Sequence, residues 1–296
     1  MAQGVATDIP GFGAGFTYGK RIEIHPLLSR GSLYLMDLGH TKGKIEAIPA
    51  VNGTIPNVAW EKAVALIGSG TEAEMRFRVA VRSGEAENRF KLELTSKGGI
   101  HGLITQVNQD VACQFLAVAA SPIHQYMVSN LSAHTYFFGA QSLTTRKGLQ
   151  DLSGVHYWAQ STSIGVALDQ GGFYGATWGT ERLNDPVNGN GNAGIVIPQR
   201  RRSMTNTRLG GIGSGFNPSG AVPSIVTGLA GPFANTTTFW NRQASTIIRS
   251  AYCENLTASG RTFEQVRDLY VAYCDSTEAE GGVWHGDTWT NPTALP

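Results

Sequence analysis

The chain has 296 residues, 41% hydrophobic and 15% charged, with a formal charge of +1. That is apolar enough to bury a large core and excludes a disordered chain; near-neutrality leaves no global field to draw it to nucleic acid or an anionic membrane. Its 37 glycines, against roughly 7% of residues in average usage, stand beside frequent Ser, Thr and aromatics and point to turns and strands.

Residues 1–60 differ in character from the remainder of the chain. Pro10-Gly11-Phe12-Gly13-Ala14-Gly15-Phe16 is too glycine-rich for a core element, and Pro26, Pro49 and Pro56 punctuate the rest of the segment. This predicts an extended arm for attachment or oligomerisation, with no basic-then-apolar secretory signal at its start. Two short β-like pieces, 21–24 and 32–36, are expected to pair within the domain or with a neighbouring subunit. Phe12, Phe16 and Tyr18 would be subunit contacts, because such an arm lacks partners in a monomer.

A β domain is expected over 61–278. Ala73 to Val81 alternates apolar with charged residues, as does Arg89 to Thr95, and a turn at Lys97-Gly98-Gly99 leads into Ile100 to Val107. The three segments read as a meander. Further strands are expected at 113–119, 135–143, 163–168, 173–178, 208–212 and 239–252, at sandwich-like spacing. The Asn/Gly-rich stretch 184–206, with its basic run Arg200-Arg201-Arg202, and the Gly/Pro/Ser stretch 210–232 read as long loops that either carry binding function or pack on a partner. The three arginines are candidate subunit contacts. One helix is expected over 262–275: Thr262 and Gln265 form a capping box, and Phe263, Val266, Leu269, Tyr270, Tyr273 and Cys274 share a face. The tail, 279–296, opens on Gly281-Gly282 and is aromatic enough to dock.

The sequence carries no recognisable catalytic motif. No G-x-S-x-G elbow, phosphate loop or H-E-x-x-H spacing occurs. The acid pairs Glu72/Glu74, Glu85/Glu87 and Glu278/Glu280 read as solvated charges and not as a glycosidase pair, and the seven histidines as surface or satisfied core residues. Cys113, Cys253 and Cys274 lack zinc-ligand spacing; a Cys253–Cys274 bridge is conceivable, with buried free thiols the main expectation. No resident cofactor is expected; calcium on Asp110, Asp169, Asp185 and Asn190 is the one candidate. The sequons at Asn52, Asn130, Asn235 and Asn255 are uninformative without an export signal. No segment approaches the ~20 apolar residues of a membrane span.

The segment Ile247-Ile248-Arg249-Ser250-Ala251-Tyr252-Cys253-Glu254-Asn255-Leu256-Thr257, followed by Ser259-Gly260-Arg261-Thr262-Phe263-Glu264-Gln265-Val266, resembles the closing strand and helix of concanavalin-A-like/laminin-G-like modules of tailed-bacteriophage structural proteins. Gly281 to Thr288 and the lead-in Pro56 to Glu61 are similar to the same group. The resemblance covers about a fifth of the chain and brings no catalytic motif. It implies an all-β, concanavalin-A-like antiparallel sandwich (jelly roll) with one C-terminal helix, used to bind sugars, proteins or neighbouring subunits in symmetric copies, often trimers. The expectation is a non-enzymatic virion protein of the tail (fibre, collar or baseplate), partnered by other virion proteins. The alternatives are a capsid decoration protein and a carbohydrate-binding module that stacks a host glycan on Trp158, Trp178 or Tyr174.

Overall fold

A computed structural model describes residues 25–83, 90–104, 112–117, 121–130, 134, 136–146, 156–159, 195–196, 205–212, 225–230 and 245–294. The chain is mostly β, with helices against two antiparallel sheets. The first sheet has the order β4 (Phe90–Leu94), β5 (Ile100–Ile104), β12 (Ser245–Asn255), β7 (Tyr136–Arg146), β10 (Thr205–Ile212), β9 (Ile195–Val196), and β1 (Ser32–Asp37) also pairs with β12. The second runs β2 (Thr54–Ile55), β3 (Phe77–Ser83), β6 (Ala112–Ala117), β11 (Ile225–Ala230), β8 (His156–Ala159).

Strand β12 is the hub. One edge pairs along its length with β7, and the other is shared by β5, at Thr246 to Ile248, and β1, at Ser250 to Glu254. An irregularity between Ile248 and Ser250 inserts a residue, so Ile248 and Ala251 both enter the core although three positions apart. Beyond it Ala251 and Cys253 face that core, while Tyr252 joins the cluster under the C-terminal helix. The core draws Leu33, Tyr34 and Met36 from the first sheet and Ile55 and Phe77 from the second. Tyr34 meets Phe77 edge-on with ring centroids 5.0 Å apart, the preferred geometry for two quadrupoles.

The arm expected over 1–60 is, from His25 onward, part of the packed body. Every residue of β1 is buried, which is why Leu33 to Met36 reads as a continuous apolar run without alternation. Its outer edge is closed by Asn57 and the backbone beside it: Asn57 Oδ1 accepts from Leu35 N at 2.8 Å and Ala59 N at 3.0 Å, its Nδ2 donates to Leu33 O at 3.1 Å, and Val58 N–H donates to Leu35 O at 2.8 Å. One side-chain amide and one backbone N–H thereby take the place of a neighbouring strand.

The strand expected from Ala73 begins later. Ala73–Met75 is a 3-10 turn and β3 starts at Phe77. The meander is also corrected: β4 and β5 form the hairpin, but β3 lies in the other sheet against β2 and β6. Alternation sets which face is buried and does not choose a strand's partner. The stretches read as loops hold β9, β10 from Thr205, and β11. Residues 163–168 and 173–178 lie outside the described residues.

More than one helix is present. Helix α1 (Trp60–Ile67) ends on Gly68 at φ 83°, whose N–H returns to Val64 O, a left-handed cap that glycine takes without strain. Helix α2 (Pro122–Asn130) and the single turn α3 (Leu256–Ser259) are likewise additions to the one helix expected. Helix α4 (Phe263–Glu278) is that predicted one, with its capping box formed in both directions. Val266, Tyr270 and Cys274 are buried on the sheet, but Leu269, expected on that face, is 43% exposed.

Candidate functional site

The outer face of the first sheet, under α4 and the tail, carries three polar clusters, and each is built from residues distant in sequence. The first arises from the β4–β5 hairpin. The turn closes with Gly98 N–H on Thr95 O and pairs Leu94 with Ile100, which sets Glu93 directly opposite His101. Glu93 Oε1 lies 3.0 Å from His101 Nδ1, and His101 Nε2 lies 2.8 Å from Thr145 Oγ1 on β7. The row is a hydroxyl, an imidazole and a carboxylate, the residue types of an activated nucleophile.

Burial alone would raise the Glu93 carboxyl, but hydrogen bonds from His101 and Thr290 outweigh it and hold it at about 2. Burial pushes the His101 imidazole below its usual value, and the bond to Glu93 recovers only part of that. In the neutral ring the proton therefore sits on Nδ1, facing the carboxylate, and Nε2 accepts from Thr145. That hydroxyl has a second acceptor, Ser245 O at 3.1 Å, so its proton is shared with the backbone. The His101 side chain has no exposed surface. Thr290 covers the far end, donating its N–H to Glu93 Oε1 at 2.9 Å and its hydroxyl to Oε2 at 2.7 Å. Closed on both sides, the row joins strand to strand and tail to sheet.

The second cluster centres on Arg249, 5% exposed in its side chain, which donates to Glu278 at 3.0 Å and Asp287 at 3.3 Å while its guanidinium lies 5.2 Å above the Trp284 ring. Glu278 also accepts from Gln141 Nε2 at 2.9 Å. Glu278, read from sequence as a solvated charge, is thus engaged at the helix–sheet seam. Glu72 and Glu74 are exposed and bond locally to Arg76 and Thr71, while Glu85 and Glu87 lie outside the described residues.

The third cluster ties β1, β12 and α4. Arg261 donates through Nε and Nη2 to the fully buried Glu254, which also accepts from Tyr252 Oη at 2.6 Å. Nearby, His25 Nε2 lies 2.8 Å from Asp37 Oδ2, which also accepts from the Tyr273 hydroxyl. His25 Nδ1 accepts from Leu27 N–H at 3.2 Å. Both ring nitrogens are occupied, so His25 is held as a satisfied core histidine with no lone pair for base catalysis.

Cys253 and Cys274 are unbridged thiols, both buried, on opposite faces of β12. Of the candidate glycan-stacking residues, Trp158 lies in β8, paired with Val226 of β11, while Tyr174 and Trp178 fall outside the described residues. So do Phe12, Phe16, Tyr18, Arg200, Arg201 and Arg202, and the calcium candidates Asp110, Asp169, Asp185 and Asn190. Among the described residues no group of three or more His, Cys, Asp or Glu could hold a metal ion, and no helix is long and apolar enough to cross a membrane.

No family profile matches the chain, and no curated protein does. Among solved structures it is similar to Trypanosoma rangeli sialidase in complex with 2,3-difluorosialic acid, a covalent intermediate, at 11% identity and a TM-score of 0.38, over 83% of this chain and 34% of that one. The same sialidase in complex with 2,3-difluoro-KDN gives 11% identity and 0.38, over 83% and 33%. The chain spans about a third of the length of those proteins, and a likeness at that level carries no argument about function.

Proposed function

We propose that this chain is a non-enzymatic structural component of a bacteriophage tail, a concanavalin-A-like jelly-roll sandwich that assembles in symmetric copies. One observation carries the reading: the segment that resembles phage modules is the organising centre of the fold. Strand β12 holds three other strands, Asn255 caps α3 by accepting from Ala258 N–H at 2.9 Å, and Thr262 and Gln265 cap α4, whose apolar face closes on the sheet. The polar clusters on that face support the same reading, since their groups are spent on one another and on the backbone. Attachment is assigned to the segment before His25.

The deciding experiment is light scattering coupled to size-exclusion chromatography on the full chain and on residues 25–296. Cutting at 60 would remove β1 from the core, so the truncation stops before His25. An oligomer, expected to be a trimer, that dissociates on truncation into folded monomers supports assembly; monomers in both, with binding on a glycan array, overturn it. Immunogold labelling of phage particles separates locations: tail label supports the proposal, and head label or none refutes the tail assignment.

A further inference from the structure

We propose that residues 286–294 form an acid-released strap, closed over the outer face of the first sheet at neutral pH and lifted as a unit when the groups beneath it take up protons. The strap has little regular structure, a single 3-10 turn at Pro292–Ala294, and its polar attachments converge on two carboxylates. Asp287 accepts from Lys97 N at 3.0 Å, Ser96 Oγ at 3.1 Å and Arg249 Nη2 at 3.3 Å. Glu93 accepts both the N–H and the hydroxyl of Thr290. Between them Ser96 and Thr288 exchange two bonds, each 2.9 Å: Ser96 N–H to Thr288 O, and Thr288 N–H to Ser96 Oγ. Trp284, 3% exposed and stacked on Arg249, is the fixed end, with Gly286 at φ 70° where the strap turns away.

The charged and titratable groups around Glu93 come from every neighbouring element. Lys91 on its own strand lies 3.3 Å away, and His101 stands opposite on β5. Arg249 on β12, Glu278 on α4 and Asp287 on the strap form the adjoining cluster, and Arg146 follows Thr145 on β7. Two of these groups make closure depend on pH in one direction. The His101 ring is favoured neutral while enclosed, so its contribution to closure is full above about 6.5 and declines as pH falls below that value. Glu93 is favoured ionised by Thr290 and His101, so its contribution is full above 4.5 and is lost as pH falls toward about 2. Acid therefore opens the strap in two stages, His101 first, exposing the Thr145–His101–Glu93 row.

Hydrogen–deuterium exchange of the full chain between pH 7 and 5, corrected for intrinsic rates, tests this. The strap amides of Thr288 and Thr290 are expected to lose about tenfold in protection while the β12 peptide keeps its own. Unchanged strap protection at pH 5, or loss in step with β12, overturns the proposal. His101→Asn is expected to flatten the pH 7 to 5 dependence, and persistence of that dependence also overturns it. The wild-type series decides even where the variant fails to fold.

Discussion

Replacing Arg249 by leucine tests how the C-terminal layer is held. The guanidinium is almost fully buried and joins two carboxylates of unequal exposure, Asp287 at 1% and Glu278 at 23%. Removing it leaves Asp287 buried with only the Ser96 hydroxyl and the Lys97 amide as donors, and an uncompensated buried charge costs roughly 3–5 kcal/mol. Glu278 keeps Gln141 and some water, so its share is that of a surface pair, under about 1 kcal/mol. The lost stacking on Trp284 adds about 0.5–2 kcal/mol, and the leucine recovers part of the total through apolar burial. The net expectation is about 3–4 kcal/mol, read as a lower urea midpoint at unchanged slope. Asp287→Leu and the double variant complete the cycle, and the double should be less destabilised than the sum by about 1–3 kcal/mol. A loss below about 1 kcal/mol for Arg249→Leu, or strict additivity, refutes the argument that this buried pair anchors the layer.

Three further outcomes rest on named contacts. Thr262→Ala removes the acceptor for Gln265 N–H and should cost about 1 kcal/mol in thermal unfolding, whereas Thr262→Ser should cost little. Asn57→Ala leaves Leu35 N–H and Leu33 O of a buried strand without their side-chain partner; each unsatisfied group costs about 1–3 kcal/mol, so chemical denaturation should show a loss of several kcal/mol, and Asn57→Asp should fail to restore the bond to Leu33 O. Burial pushes the Cys253 thiol well up, and Cys274 is 1% exposed. In a Cys113→Ser background neither should react with a thiol reagent until the chain unfolds, and rapid labelling of the native protein would contradict the packing.

Residues 262–278 were the most legible stretch of the sequence because their signals are local. The Thr262/Gln265 capping box and the Val266/Tyr270/Cys274 stripe need no knowledge of partners. Leu269 broke the pattern because the helix buries a stripe narrower than its apolar face: Val266, Tyr270 and Cys274 are covered and Leu269 is not. Helix α1 is hard to read because its eight residues give barely two turns of period, although Gly68 supplies a stop signal. Strand β1 shows no alternation because both its faces are buried. The Glu93–His101 pair was recoverable: with the Lys97-Gly98-Gly99 turn identified, counting outward from it puts the two residues opposite each other. Thr145, Thr290 and the Arg249 cluster were not, since they depend on strand order and on where the tail lands, which periodicity does not encode.

The position of β12 also governs when the protein becomes a protein. The strand that joins β1, β5 and β7 spans residues 245–255, so the first sheet cannot close until the ribosome has passed that point. Until then the nascent chain carries β1 and the β4–β5 hairpin without their common neighbour, with unpaired edges exposed to other chains. Pairing across more than 200 residues makes closure a slow, non-local step. Yield should therefore respond to synthesis temperature and chaperone supply more than to the stability of the finished fold.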